Sequence, residues 1–205
     1  MPRFAFAAAC VAGALALVDA HAAGVNVNVV DKAGRPLPGA VVVLEAVGAH
    51  LPVRPMSGVE ISQARRTFIP DVTIVTVGTP VTFPNLDTVR HQVYSFSPAK
   101  TFELKLYAGT PSTPVVFDKP GVVVLGCNIH DLMSAWVVVV DTPYHARAGD
   151  TGKVRLDNIP PGNYRLRAWH RGLDAEAAWP ASNVTVAGAD LDMTVRVDAV
   201  VAPSP

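Results

Sequence analysis

Cysteine is nearly absent from this sequence: two residues in 205, at positions 10 and 127. Cys10 lies within "MPRFAFAAACVAGALALVDAHAA", where Arg3, an apolar run from Phe4 to Val18 and a small-residue site at Ala20-His21-Ala22 predict a secretory leader spanning 1–23. The run carries no amphipathic stripe, is short for a membrane span, and continues well past Cys10, which argues against a lipid-modified cysteine. Cleavage near Ala22 or Ala23 leaves Cys127 as the one thiol of a chain expected in the periplasm or outside the cell, so an intramolecular disulfide is excluded. Neither charge sign is in excess. Lys+Arg and Asp+Glu number 17 each, and Arg3 leaves together with Asp19. A neutral chain has no basic footprint for nucleic acid or an anionic membrane. After the leader no apolar run has the length of a transmembrane helix, so no membrane association is expected of the mature chain.

Helical periodicity and catalytic signatures are missing too. No G-x-S-x-G, H-E-x-x-H or glycine-rich phosphate loop occurs, which points away from an enzyme. What the chain has is valine, in β-branched runs bounded by Pro, Gly, Asn and Asp at short intervals, the pattern of an all-β sandwich. "GVNVNVVDKAGRPLPGAVVVLEAVG" reads as a hairpin followed by a connector, together 24–66, ending in a short strand near Val59. From 67 to 141 strands follow closely: "VTIVTVG", "PVTFPN", "HQVYSF", "KTFELKLY", "PVVFDKPG" and two valine runs. Residues 142–198 form a further β-unit with a hairpin in "GKVRLDNIPPGNYRLRAW" and one last strand within 184–197; 199–205 is a tail.

The two valine runs enclose the chemistry. In "VVVLGCNIHDLMSAWVVVV" a thiol, an imidazole and a thioether, Cys127, His130 and Met133, stand three residues apart. Soft sulfurs favour Cu(I) and imidazoles also accept Cu(II), so this donor set suits redox-active copper. A buried cysteine alone is usually a small hydrophobe, and a trigonal two-histidine, one-cysteine plane needs a second imidazole. "FPNLDTVRHQVYSF" offers His91 between two strand-like runs. Zinc could use the same cysteine and histidines with water or Asp131 as a fourth ligand, but the thioether favours copper. His50 and Met56 are copper-binding types in an expected surface loop. His145 is expected to be exposed. His170, beside Trp169, fits packing better than ligation, and the Asn183 sequon reads as part of a strand.

These segments resemble the cupredoxins, the plastocyanin-like blue copper proteins, over roughly 67–141. Phe83, Asn85 and His91 match the segment carrying the first histidine ligand, and "FDKPGVVVLGCNIHDLM" matches the loop carrying the others. The resemblance implies a Greek-key β-sandwich with one mononuclear type 1 copper held by His91, Cys127, His130 and Met133. The Cys-to-His spacing agrees with plastocyanin, whereas His-to-Met is two residues shorter, and Gln92 stands where an asparagine commonly ties the ligand loops together. Together with "PPGNYRLRAWH", the motifs are similar to exported bacterial proteins often labelled methylamine utilisation proteins. "VVDKAGRPLPGAVVVL" and "GKVRLDNIPPGNYRLRAW" each resemble parts of a small carboxypeptidase-regulatory-like β-sandwich, so strands from 24–48 are candidates to complete the unit at 142–198. The resemblance implies periplasmic electron transfer with a c-type cytochrome or periplasmic dehydrogenase as partner. A periplasmic copper chaperone or store, or a metal-free binding module, stays open.

Overall fold

The computed structural model describes residues 22–130, 132–173 and 177–199; the expected leader up to position 21, Asp131 and the tail beyond Ala199 lie outside the described residues. The described residues form strands and no helix. In order these are β1 (Ala23–Val30), β2 (Val41–Ala46), β3 (Val59–Glu60), β4 (Ser62–Ala64), β5 (Thr67–Ile69) and β6 (Val72–Thr76). Next come β7 (Thr79–Thr82), β8 (His91–Ser97), β9 (Lys100–Tyr107), β10 (Val115–Phe117), β11 (Gly121–Gly126) and β12 (Ser134–Val140). The last are β13 (Tyr144–Arg147), β14 (Lys153–Ile159), β15 (Gly162–Trp169), β16 (Ala181–Val186) and β17 (Leu191–Arg196).

The main sheets are β14-β1-β17, β13-β2-β15-β16, β6-β12-β11-β8-β9 and β10-β7-β3, with a separate β4-β5 pair. Three apolar clusters show how they stack. Val25, Val27, Val42, Leu44 and Leu166 fill the space between the first two sheets. Val81, Phe83, Phe117, Val123, Leu125 and Val137 fill that between the last two. Val41, Val43, Val138, Val140 and Trp169 join the middle pair. This layering explains the unbroken valine runs. Alternate residues of β2 and β12 belong to different clusters, so both faces of each strand are buried and no polar alternation is required.

Two expected hairpins do not form. β1 pairs with β14 and β17, whereas β2 pairs with β13 and β15, so the chain from β1 to β2 crosses between facing sheets. β14 and β15 likewise lie in opposite sheets, joined through Pro160 and Pro161. In both cases the two strands direct side chains into one shared core from opposite sides, which hydrogen bonding as neighbours would prevent. The expected single strand within 184–197 is two, β16 and β17, separated by a bend in which Gly188 takes φ 93°. The connector within 24–66 supplies β3 and β4, which pair with β7 and β5.

Candidate metal centre

Strand pairing assembles the site. β11 and β12 form an antiparallel hairpin whose last pair, Gly126 with Ser134, holds the ends of the loop carrying Cys127, His130 and Met133. Within it the Met133 amide donates to the His130 carbonyl at 3.1 Å. β11 also pairs with β8 where Gly126 meets Tyr94. Because that pair is antiparallel, the chain leaving Gly126 runs back along the start of β8, toward His91. Gly126 lets the Tyr94 ring lie across it: a Cβ would stand 2.7 Å from the ring and push it aside.

The result is a convergence of donors 36 residues apart in sequence. Cys127 Sγ lies 3.8 Å from His91 Nδ1 and 3.9 Å from His130 Nδ1. The three ligand-type atoms lie within 4.8 Å of one another. His91 is fully buried, Cys127 is 5% exposed, and His130 is half-buried at the mouth. Ions bound to nitrogen at about 2.05 Å and to sulfur at about 2.3 Å at a trigonal angle separate those donors by about 3.8 Å. The spacing therefore fits a single ion, with both Nδ1 atoms turned to the sulfur. Met133 is 2% exposed and shares with Cys127 the apolar cluster beneath the loop.

Among solved structures, the chain is similar to copper proteins. It matches an amicyanin variant in its reduced Cu(I) form at 17% identity and TM-score 0.38, covering 48% of this chain and 98% of that one. A purple cupredoxin from Nitrosopumilus maritimus matches at 23% identity and TM-score 0.36, over 40% of this chain and 99% of that one. The Cu-containing nitrite reductase from Thermus scotoductus SA-01 matches at 26% identity and TM-score 0.39, with 57% of this chain covering 28% of that one. No protein-family model and no curated protein matches the chain.

A second ring of groups surrounds His91. Its Nε2 lies 2.8 Å from Asp87 Oδ2. The same carboxylate accepts from the backbone amides of Arg65, at 2.6 Å, and Arg66, at 2.9 Å. The Arg66 amide, then the His91 ring, hold the Asp87 carboxyl below the usual carboxylate range, against a smaller opposing effect of burial. Asn85 shapes the intervening loop: Nδ2 donates to the carbonyls of Val89 at 2.8 Å and Tyr107 at 3.0 Å, and Oδ1 accepts from the Asp87 amide. The Tyr107 hydroxyl donates to the Phe83 carbonyl at 2.6 Å and is contacted by Gln63 Nε2; burial pushes its phenol up to about 12. Gln92 points elsewhere, donating to Glu103 at 2.6 Å, and does not tie the ligand loops together; Asn85 braces the loop ahead of His91.

Sequence reasoning brought His91, Cys127, His130 and Met133 into view but missed Asp87. The available signal was the N-x-D step at Asn85 and Asp87, an Asx-turn pattern that places a carboxylate one short loop ahead of the histidine. His50 is exposed and faces Asp141 at 3.6 Å, and Met56 is exposed, both apart from the donor cluster. His145, expected to be exposed, is half-buried on β13 with Nδ1 3.0 Å from the Thr142 carbonyl, because β13 pairs with β2. His170 is buried outside the cluster and its Nδ1 accepts from the Gly172 amide at 3.1 Å.

Proposed function

We propose that this is an exported type 1 copper protein that carries electrons in the periplasm, with copper held by His91, Cys127 and His130 and an axial contact from Met133. The observation that carries the reading is the approach of both Nδ1 atoms to one buried thiol sulfur, at 3.8 and 3.9 Å. Copper bound there would supply a one-electron Cu(II)/Cu(I) couple. The chain's own contribution is to hold the donors on paired strands and to keep water from the sulfur. His130, at the mouth, offers its ring edge for electron exchange, beside the exposed Ile129 and Leu132 of its loop. With Leu86 and Val89, exposed on the loop ahead of His91 beside the exposed Arg90, these side chains supply an apolar docking surface for a c-type cytochrome or periplasmic dehydrogenase. The leader-like sequence at 1–23 supports export.

A copper chaperone would use the same donors. Burial of Cys127 and His91 favours the carrier, because passing an ion on requires an acceptor thiol to reach it. The test is a Cu(II) titration of the mature protein. An intense visible thiolate-to-copper band is expected, lost in Cys127→Ser and bleached reversibly by one electron. Identical spectra for the two proteins would sink the copper–thiolate assignment. Rapid surrender of Cu(I) to an acceptor protein, without reversible electron exchange, would replace the carrier with a chaperone.

A further inference from the structure

The segment ahead of β5 runs parallel to the loop that leads to His91. The Ile61 amide donates to the Thr82 carbonyl at 3.0 Å, Gln63 to Pro84 at 2.8 Å, and Leu86 back to the Gln63 carbonyl at 2.8 Å. The next donors in the series are the amides of Arg65 and Arg66, and their acceptor is not a carbonyl but the Asp87 carboxylate. To present both amides, Arg65 and Arg66 take φ 55° and 59° at the β4–β5 turn. Two adjacent non-glycine residues in the left-handed region are costly, and such strain persists where surrounding contacts impose it. The third partner of the carboxylate is His91 Nε2, at 2.8 Å, on the far side of the ring from Cys127.

Building on the copper reading, we propose that Asp87 is a positioning residue of the metal centre. Anchored by two peptide N–H groups, its carboxylate accepts the Nε2–H of His91, fixes the tautomer in which Nδ1 carries the free lone pair, and turns that lone pair toward the Cys127 sulfur. An anionic acceptor on the far nitrogen makes the near one a stronger donor, and a stronger donor favours the doubly charged ion over the singly charged one. Asp87 thereby tunes the site toward Cu(II). His130 is the contrasting ligand: it stands at the mouth, and among the described residues no carboxylate contacts its ring.

Two measurements test this. In the metal-free native protein, nitrogen-15 NMR should find His91 protonated at Nε2 and bare at Nδ1; protonation at Nδ1 would overturn the proposal without reference to copper. In the copper-loaded protein, Asp87→Asn is close in size and removes the charge; its single oxygen serves only one of the two peptide N–H groups, so some loss of stability accompanies any shift in potential. Loss of an outer-shell partner typically weakens metal binding about 10- to 100-fold. If Cu(II) binding weakens tenfold more than Cu(I) binding, the potential rises by about 59 mV, the one-electron equivalent of that ratio. A potential equal to that of the native protein, with only the thermal stability lowered, would make Asp87 a turn anchor and overturn the tuning role. Failure of the native protein to bind copper would instead overturn the copper reading and the tuning together, leaving the tautomer to the first measurement.

Discussion

Arg147 Nη2 lies 3.1 Å from Asp71 Oδ1, joining the end of β13 to the residue that opens β6. Arg171 reaches the other oxygen of Asp71 at 2.5 Å, and the Asp71 carbonyl accepts from the Trp136 amide at 2.8 Å. These ion pairs border the apolar cluster of Val41, Val43, Val138, Val140 and Trp169 that backs β12. At 38% side-chain exposure, Asp71 is well screened, and such pairs contribute up to about 1 kcal/mol. Val138 is fully buried, and a carboxylate placed there would have no partner. Asp71→Asn is therefore expected to cost about 1 kcal/mol or less and Val138→Asp more than about 3 kcal/mol in urea unfolding. The reverse ranking would show that charge, rather than apolar packing, holds these sheets together.

The same cluster explains what could be read in advance. The valine runs at 122–125 and 137–140 look like buried strands; 137–140 is buried on both faces, whereas Val124 is 40% exposed because one face of β11 is left uncovered there. His91, Cys127 and His130 were legible as a set because residue type and strand order pointed to one end of a sandwich, and their donor atoms converge there. Strands from 24–48 were candidates to complete the unit at 142–198, but the placing of β1 and β2 in facing sheets was not legible. A turn-rich link between two apolar strands looks the same whether they become neighbours in one sheet or face each other across a core; only the partners arriving from β13, β15 and β17 decide it. Asp87 was hidden for a related reason: its function depends on amides of the β4–β5 turn, more than 20 residues earlier, whose Arg-Arg sequence carries no left-handed turn signal.

His170 gives a pH dependence. Burial, then the Arg171 and Arg147 charges, hold its pKa below the ordinary 6.5, outweighing the backbone hydrogen bond to Pro38 and the charge of Asp71. The unfolded chain thus binds a proton more readily than the folded one, so this residue's contribution to stability is present above about pH 6.5 and declines as pH falls toward the depressed folded value. Unfolding midpoints measured from pH 7.5 to 5 should fall for the native protein, and His170→Asn should flatten part of that slope. Equal slopes would mean that His170 carries its proton as easily folded as unfolded.

Arg65 and Arg66 act through their backbones, and glycine keeps the backbone amide. Relief of left-handed strain, about 1–2 kcal/mol per residue, exceeds glycine's entropy cost of about 0.5–1 kcal/mol. Arg65→Gly and Arg66→Gly should each raise stability by roughly 0.5–1 kcal/mol in chemical denaturation while leaving the copper spectrum unchanged. Arg66→Pro, which deletes the amide that donates to Asp87 at 2.9 Å and cannot take a positive φ, should lower stability and disturb the spectrum. A spectrum altered by the glycine variants would assign the arginine side chains a role at the site.

Met133 stands at the point where the ligand loop re-enters β12, buried at 2% exposure in the cluster that includes Cys127. The loop is short: His130 and Met133 are three positions apart and linked by the 3.1 Å bond from the Met133 amide to the His130 carbonyl. That turn keeps the thioether beneath the loop on the buried side, where a weak axial donor would be protected from water. A thioether tunes the couple through its softness, so its replacement should move the potential in a direction set by the new group. Met133→Leu removes a donor to Cu(II) and is expected to raise the reduction potential while the thiolate band remains; Met133→Gln offers a harder oxygen and is expected to lower it. Leucine and glutamine differ little in size, so packing changes alone should shift both variants the same way. Opposite shifts in voltammetry identify Met133 as the axial donor, and unchanged potentials in both, with copper still bound, identify it as a residue of the core alone.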